Sequence, residues 1–463
     1  MLCRSVNTFA LLLWPCAALA HPAQGGFVLL LPTDIYITAG CAAVALSVLI
    51  VALTPEQMLN RAFTPRIVGR APDLRRVQGV SSLLSLLLLG ALLWVGFNGP
   101  RDPLSNLLPL TIWTLWWIAL FTLQGVVGDL WRWVNPWRGL HDALWGNVTP
   151  PLRLPGWLGH APAIAAFIAI TGFALADLAP DDPERLAAFV MGYALYTFAG
   201  MTLFGADDWL ERGECFSLLL RLFASLTPLQ TRPHLALGLP GWAAQPGKVP
   251  LSLGVFVIVI LACGSFDGLN KTFWWLAKIG INPLAFPGRS AVVWSTTLGL
   301  IGANIALVLA FAACIATGHL CLRAVGGTPP PLGDATARLA MSVLPIAFAY
   351  HVAHFLTAFL VSGQYAVAAL TDPLANGADL LNLGQFYVTT GFFNTQATVR
   401  TIFLTQAGII VAGHILGVLM AHRMATQLYG GGRRAVIAQA PLAVFMILYT
   451  LLGLWLLAAP RGA

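Results

Sequence analysis

Ten times along this chain an apolar stretch of about 20 residues passes with almost no charge, the length at which a helix crosses roughly 30 Å of hydrocarbon. The stretches lie near residues 34–53, 80–97, 109–127, 161–179, 187–206, 250–266, 290–318, 338–362, 401–421 and 440–459. The expected fold class is all-α: a polytopic membrane helical bundle of about ten transmembrane helices. Composition agrees, since 58% of the 463 residues are hydrophobic and only 9% charged, too little polar surface to cover a soluble globule of this size. The formal charge of +7 comes without a basic cluster on a soluble domain, so it reads as a topology signal and excludes nucleic acid as a partner. The bilayer itself is the expected surrounding.

The first residues, "MLCRSVNTFALLLWPCAALAHPAQGG", combine Arg4, a short apolar core and Ala18-Leu19-Ala20. Together these make a cleavable secretory signal over 1–20 with an A-x-A site, which leaves a single polytopic domain, 21–463, beginning at His21. Of the seven cysteines, Cys3 and Cys16 leave with the signal, Cys41, Cys263 and Cys314 fall in apolar spans, and Cys215 and Cys321 fall in expected inner loops. No CxxC spacing indicates a Cys-ligated metal.

Ten spans place both mature termini on the outer side. Of the 25 Lys and Arg residues, 17 fall in the loops this assigns to the cytoplasm, 7 on the opposite side and Arg4 in the signal. That bias fixes the orientation by the positive-inside rule. Two inner segments are long enough for structure of their own. Segment 128–160, "GDLWRWVNPWRGLHDALWGNVTPPLRLPGWLGH", interleaves Trp with Arg and Pro as an interfacial element does. Segment 207–249 opens with an amphipathic helix, "DDWLERGECFSLLLRLFASL", and then turns irregular. The outer loop 363–400 is polar, aromatic and Gly-rich, as a lid or an ordinary loop is.

Chemistry is concentrated in the histidines. "AYHVAHFL" places His351 and His354 at i and i+3, on one helix face about 60° apart. "GHILGVLMAHRMA" supplies His414 and His422, separated by about 12 Å along a helix axis. By depth, His351 and His414 fall near the bilayer midplane, with His354 slightly outward and His422 at the inner boundary. Three imidazoles from adjacent antiparallel helices, His351, His354 and His414, are a candidate site for a divalent transition metal such as Zn, with His422 as a deeper fourth ligand. Such a metal turns bound water into a nucleophile near neutral pH. The structural alternative is that each imidazole bonds across helices and holds the bundle together. Gln124, Asn304, Gln406 and Asp129 read as interhelical or interfacial residues, and Asp267 in "SFDGLNKT" as an Asx-type turn opening the outer loop. GxSxG, HExxH, P-loop and GxGxxG signatures do not occur.

The stretches "AHPAQGGFVLLLPTDIYITAG", "GPRDPLSNLLPLTIWTLWW", "GDLWRWVNPW", "FDGL", "AYHVAHFL" and "GHILGVLMAH" resemble the bacterial integral membrane proteins of the fenitrothion hydrolase family. The resemblance runs from the signal to the ninth span. It implies a multi-pass protein of the bacterial inner membrane that opens lipophilic organophosphorus triesters, and it carries no catalytic residues with it. Chemically, hydrolysis of a neutral phosphorothioate needs hydroxide aimed at phosphorus and a stabilised phosphoryl oxygen or sulfur. Two functions stay open on the residues: a membrane-embedded phosphotriester hydrolase acting on a lipophilic small molecule, and a transporter or metal-handling permease using the same histidines as a transit site.

Overall fold

The computed structural model describes residues 28–461 apart from 73, 147, 232, 286, 287 and 385. The expected signal and the N-terminal His21 lie outside the described residues. Among those described, nine helices are long and apolar enough to cross a membrane: α1 (Thr33–Leu53), α2 (Arg75–Asn98), α3 (Leu107–Val126), α5 (Pro183–Phe204), α7 (Leu251–Asn270), α8 (Val293–Ala324), α9 (Leu332–Thr371), α10 (Gln396–Tyr429) and α11 (Arg433–Ala458). By helix length and hydropathy this is a multi-pass membrane protein. The tenth expected span is the shorter α4 (Ala161–Ala176), whose 16 residues cover about 24 Å at 1.5 Å per residue. If α4 nonetheless crosses, as ten spans require, a cysteine replacing the exposed Ala179 should react with a membrane-impermeant maleimide from the outer face. Labelling only after the cells are opened would leave α4 non-spanning.

Close helix contacts are made where a side chain is missing, as expected when lipid removes the hydrophobic drive and packing must hold the bundle. On α10, a Cβ at Gly413 would overlap Ala349 of α9, and one at Gly417 would come within 2.8 Å of the Ser342 carbonyl. On α8, a Cβ at Gly318 would overlap the Ala438 carbonyl of α11. On α7, one at Gly254 would stand 2.7 Å from the Cα of Ala337. Two irregularities shape the interior. A 3-10 turn at Met341–Val343 interrupts α9 just before Pro345, whose ring denies the i−4 residue, Met341, a normal helical turn. Within α3, Leu110–Leu120 is π-helical, a wide and rare winding.

Segment 207–249 departs from expectation. Its amphipathic stretch breaks at Gly213–Glu214, and the second piece, α6 (Cys215–Ala224), buries every side chain but Arg221 inside the bundle rather than lying at an interface. Cys215 therefore sits on a helix, as does Cys321 on α8, and all five described cysteines are free. The remainder is not wholly irregular. Strands β2 (Leu229–Gln230) and β3 (His234–Leu237) join β1 (Arg66–Arg70) in a small antiparallel sheet ordered β1-β3-β2, which ties the segment after α6 to the one between α1 and α2.

Candidate functional site

The "GDLWRWVNPW" stretch explains how α6 is fixed. Gln124, fully buried, accepts from the backbone amides of Leu130 and Trp131 and donates to the Leu220 carbonyl of α6, each at 2.9 Å. Trp131 and Asn135 both donate to Ser217 Oγ, at 3.0 and 3.1 Å. The segment turns Trp131 and Trp137 inward, the first anchored to α6 and the second packed on Tyr193 and Phe198 of α5. At the N-terminus of α6, the buried Glu214 carboxylate accepts from the amides of Phe216 and Ser217 and from the Tyr193 hydroxyl. Glu214→Ala removes a helix cap and strands those donors in the interior, a loss of about 3 kcal/mol. The expected result is a lowered unfolding temperature in detergent, followed by tryptophan fluorescence, with Glu214→Gln less affected because its remaining oxygen still caps.

So held, α6 presents Leu219 and Phe223 to a cavity of about 50 Å³ between α3, α4, α6, α7 and α9. The titratable groups His351, His354 and Asp267 line this cavity, with Thr171, Cys263 and Tyr350 beside them. His354 Nε2 lies 3.1 Å from Asp267 Oδ2, with side chains only 10% and 17% exposed. Asp267 is not a turn residue: α7 continues to Asn270 and carries the carboxylate in its last turn, facing α9. The positive charges of Lys271 and Arg461 also bear on it. His351 is enclosed by rings, with Phe355, Phe121, Trp117 and Phe223 centred 5.0, 5.5, 6.3 and 6.3 Å away. Among the described residues, His351 Nε2 and His354 Nδ1 are buried without a hydrogen-bond partner.

One further device positions His354. Tyr350 stacks on its ring at 5.5 Å and 16°, and the Tyr350 side chain packs against Gly264 and Gly268 of α7. A Cβ at Gly268 would coincide with the Tyr350 hydroxyl. The glycine after Asp267 is thus needed for close helix packing, and with Gly264 it forms a G-x-x-x-G face on α7.

The four candidate histidines are not brought together, which corrects the expectation of a three-His or four-His metal centre. His351 and His354 share the cavity, but His414 bonds the Ile410 carbonyl of its own helix at 2.9 Å, and His422 pairs with Gln439 of α11 at 2.7 Å. The cause is rotation about α9. Ala349, against Gly413, and Ala353, whose carbonyl accepts from Gln406, form the side that meets α10, so His351 and His354 turn towards α3, α6 and α7. Among the described residues no three His, Cys, Asp or Glu side chains group as metal ligands. His319 and His160 have ordinary partners, Tyr429 and Ser252. No protein-family model, curated protein or solved structure matches this chain.

Proposed function

We propose that this chain is a membrane-embedded hydrolase of neutral, lipophilic organophosphorus triesters, in which His354, oriented by Asp267, activates water for attack at phosphorus. The observation that carries the reading is the His354–Asp267 pair beside His351 in one cavity enclosed by apolar helices. With Asp267 accepting from Nε2–H, the lone pair of His354 resides on Nδ1. Among the described residues His351 Nε2 is likewise without a hydrogen-bond partner, and it accepts in the tautomer protonated on Nδ1. The two acceptors suit the two O–H groups of one water, which needs only about 10–15 Å³ of the cavity. As the oxygen attacks phosphorus, a proton passes to His354 Nδ1 and the P–O bond to the aryl group breaks. The aryl oxide departs with the bond's electron pair, and a nitrophenolate needs no acid to leave. The imidazolium that forms is stabilised by the Asp267 carboxylate, the role an aspartate has behind a histidine base. No step is routed through a metal, because the histidines do not assemble as its ligands.

The resemblance to fenitrothion hydrolases supports the substrate class, and the apolar surroundings favour a solute that partitions into lipid. Purified protein in nanodiscs should release 3-methyl-4-nitrophenol and dialkyl thiophosphate from fenitrothion with neither ATP nor a nicotinamide present. The same buried carboxylate–imidazole pair favours one other reading, a permease using it as a proton site. Solute uptake by sealed vesicles that depends on a proton gradient, with no nitrophenol release, would select it.

A further inference from the structure

A cavity of about 50 Å³ holds a water but not a triester, and the space next to it is far larger. Between α2, α3 and α5 lies an apolar groove of about 310 Å³, at the lower end of small-molecule pockets. Leu88, 60% exposed, stands at its rim, so the groove opens on the outer, lipid-facing side of the bundle. Its inner wall is aromatic. Trp116 meets Phe216 edge-on at 4.4 Å and Trp131 at 6.0 Å, and Tyr193 packs on Phe216 at 5.2 Å. Trp117 lines both this groove and the cavity of His351 and His354. It sits in the π-helical stretch, and its ring stacks on Phe167 of the cavity at 10° while meeting Trp113 of the groove edge-on.

Resting on the hydrolase reading for its outcome but not for the binding itself, we propose that this groove is an intramembrane binding site for a neutral aromatic lipophile, with Trp117 as the partition between it and the polar cavity. An arene gains edge-to-face contacts here of about 0.5–1.5 kcal/mol per ring pair beyond burial, which a saturated chain does not. The groove offers no charged side chain to an ionic ligand. One shared side chain, Trp117, sets the occupant beside the cavity that holds the water.

The test is photolabelling in nanodiscs with an aryl diazirine, 3-trifluoromethyl-3-phenyldiazirine, and mass spectrometric location of the adducts. Adducts should concentrate on Leu89, Trp116 and Val190, fall at least fivefold with excess 4-nitrotoluene, and persist with hexadecane. Val190→Trp, which fills the groove, should abolish them, while Leu87→Trp on the exposed side of α2 should not. In Trp117→Ala, adducts should extend to Leu219 and Phe355 of the cavity. Labelling spread evenly over lipid-facing leucines, or displaced equally by hexadecane, overturns the proposal in favour of an acyl-chain crevice. Groove adducts that never reach the cavity in Trp117→Ala overturn the partition. Specific labelling without any triester turnover would retain the groove and reject the hydrolase reading, so the two fail separately.

Discussion

His354→Ala should lower triester turnover by about 10²–10⁴-fold, the range a positioned general base contributes, while the helical spectrum of the purified protein stays near wild type. Asp267→Asn should fall in the same range. Its carboxamide keeps the shape but loses the charge that stabilises the imidazolium, and it can present Nδ2–H to the ring and favour the wrong tautomer. If the pair acts as a unit, the double variant loses little more than either single one. His414→Ala, which removes an imidazole bonded only within its own helix, should leave turnover within a few-fold of wild type. A His414 variant as dead as His354→Ala would return the three-histidine centre to consideration.

The second large effect comes from a residue with no side chain. Gly268→Ala puts a methyl group where the Tyr350 hydroxyl lies, and Tyr350 is the ring stacked on His354. Relief of that overlap moves α9 or swings Tyr350, and either displaces the imidazole from Asp267. A misplacement of about 1 Å is enough to cost on the order of 10²-fold in rate. Tyr350→Phe removes the atom that collides, and because that hydroxyl is buried with no partner among the described residues its loss is nearly neutral for stability. Adding it to Gly268→Ala should therefore restore most of the activity. A Gly268→Ala protein with full turnover, or one that Tyr350→Phe fails to rescue, removes this positioning role.

The helices were legible in the sequence because lipid imposes one length on every span, and the apolar runs recur at that length. Their ends were not, since the helices continue past the hydrocarbon on charged or polar residues, as α10 does from Gln396 to Tyr429. The same effect concealed Asp267. Hydropathy ends the seventh span's predecessor at residue 266, so the carboxylate reads as a turn, whereas one more helical turn carries it to Asn270 and against His354. Depth along a helix could be counted, which is why His351 and His414 were expected at one level. Rotation could not, and the small residues Ala349 and Ala353 take the side of α9 that faces α10. The G-x-x-x-G of 264–268 was a signal present in the letters that pointed to close packing beside Asp267. Burial of α6 had no comparable signal, because Arg221 and the charged residues before Glu214 make the stretch look amphipathic.

Triester hydrolysis by this protein rests on attack at phosphorus by a water held between His351, His354 and Asp267. It is tested most directly by turnover of fenitrothion in H₂¹⁸O by purified protein in nanodiscs, with the His354→Ala protein in parallel. One ¹⁸O atom is expected in the dialkyl thiophosphate and none in the 3-methyl-4-nitrophenol, with near-complete loss of both products in the variant. Label in the phenol, or release no faster than from empty nanodiscs, would contradict it.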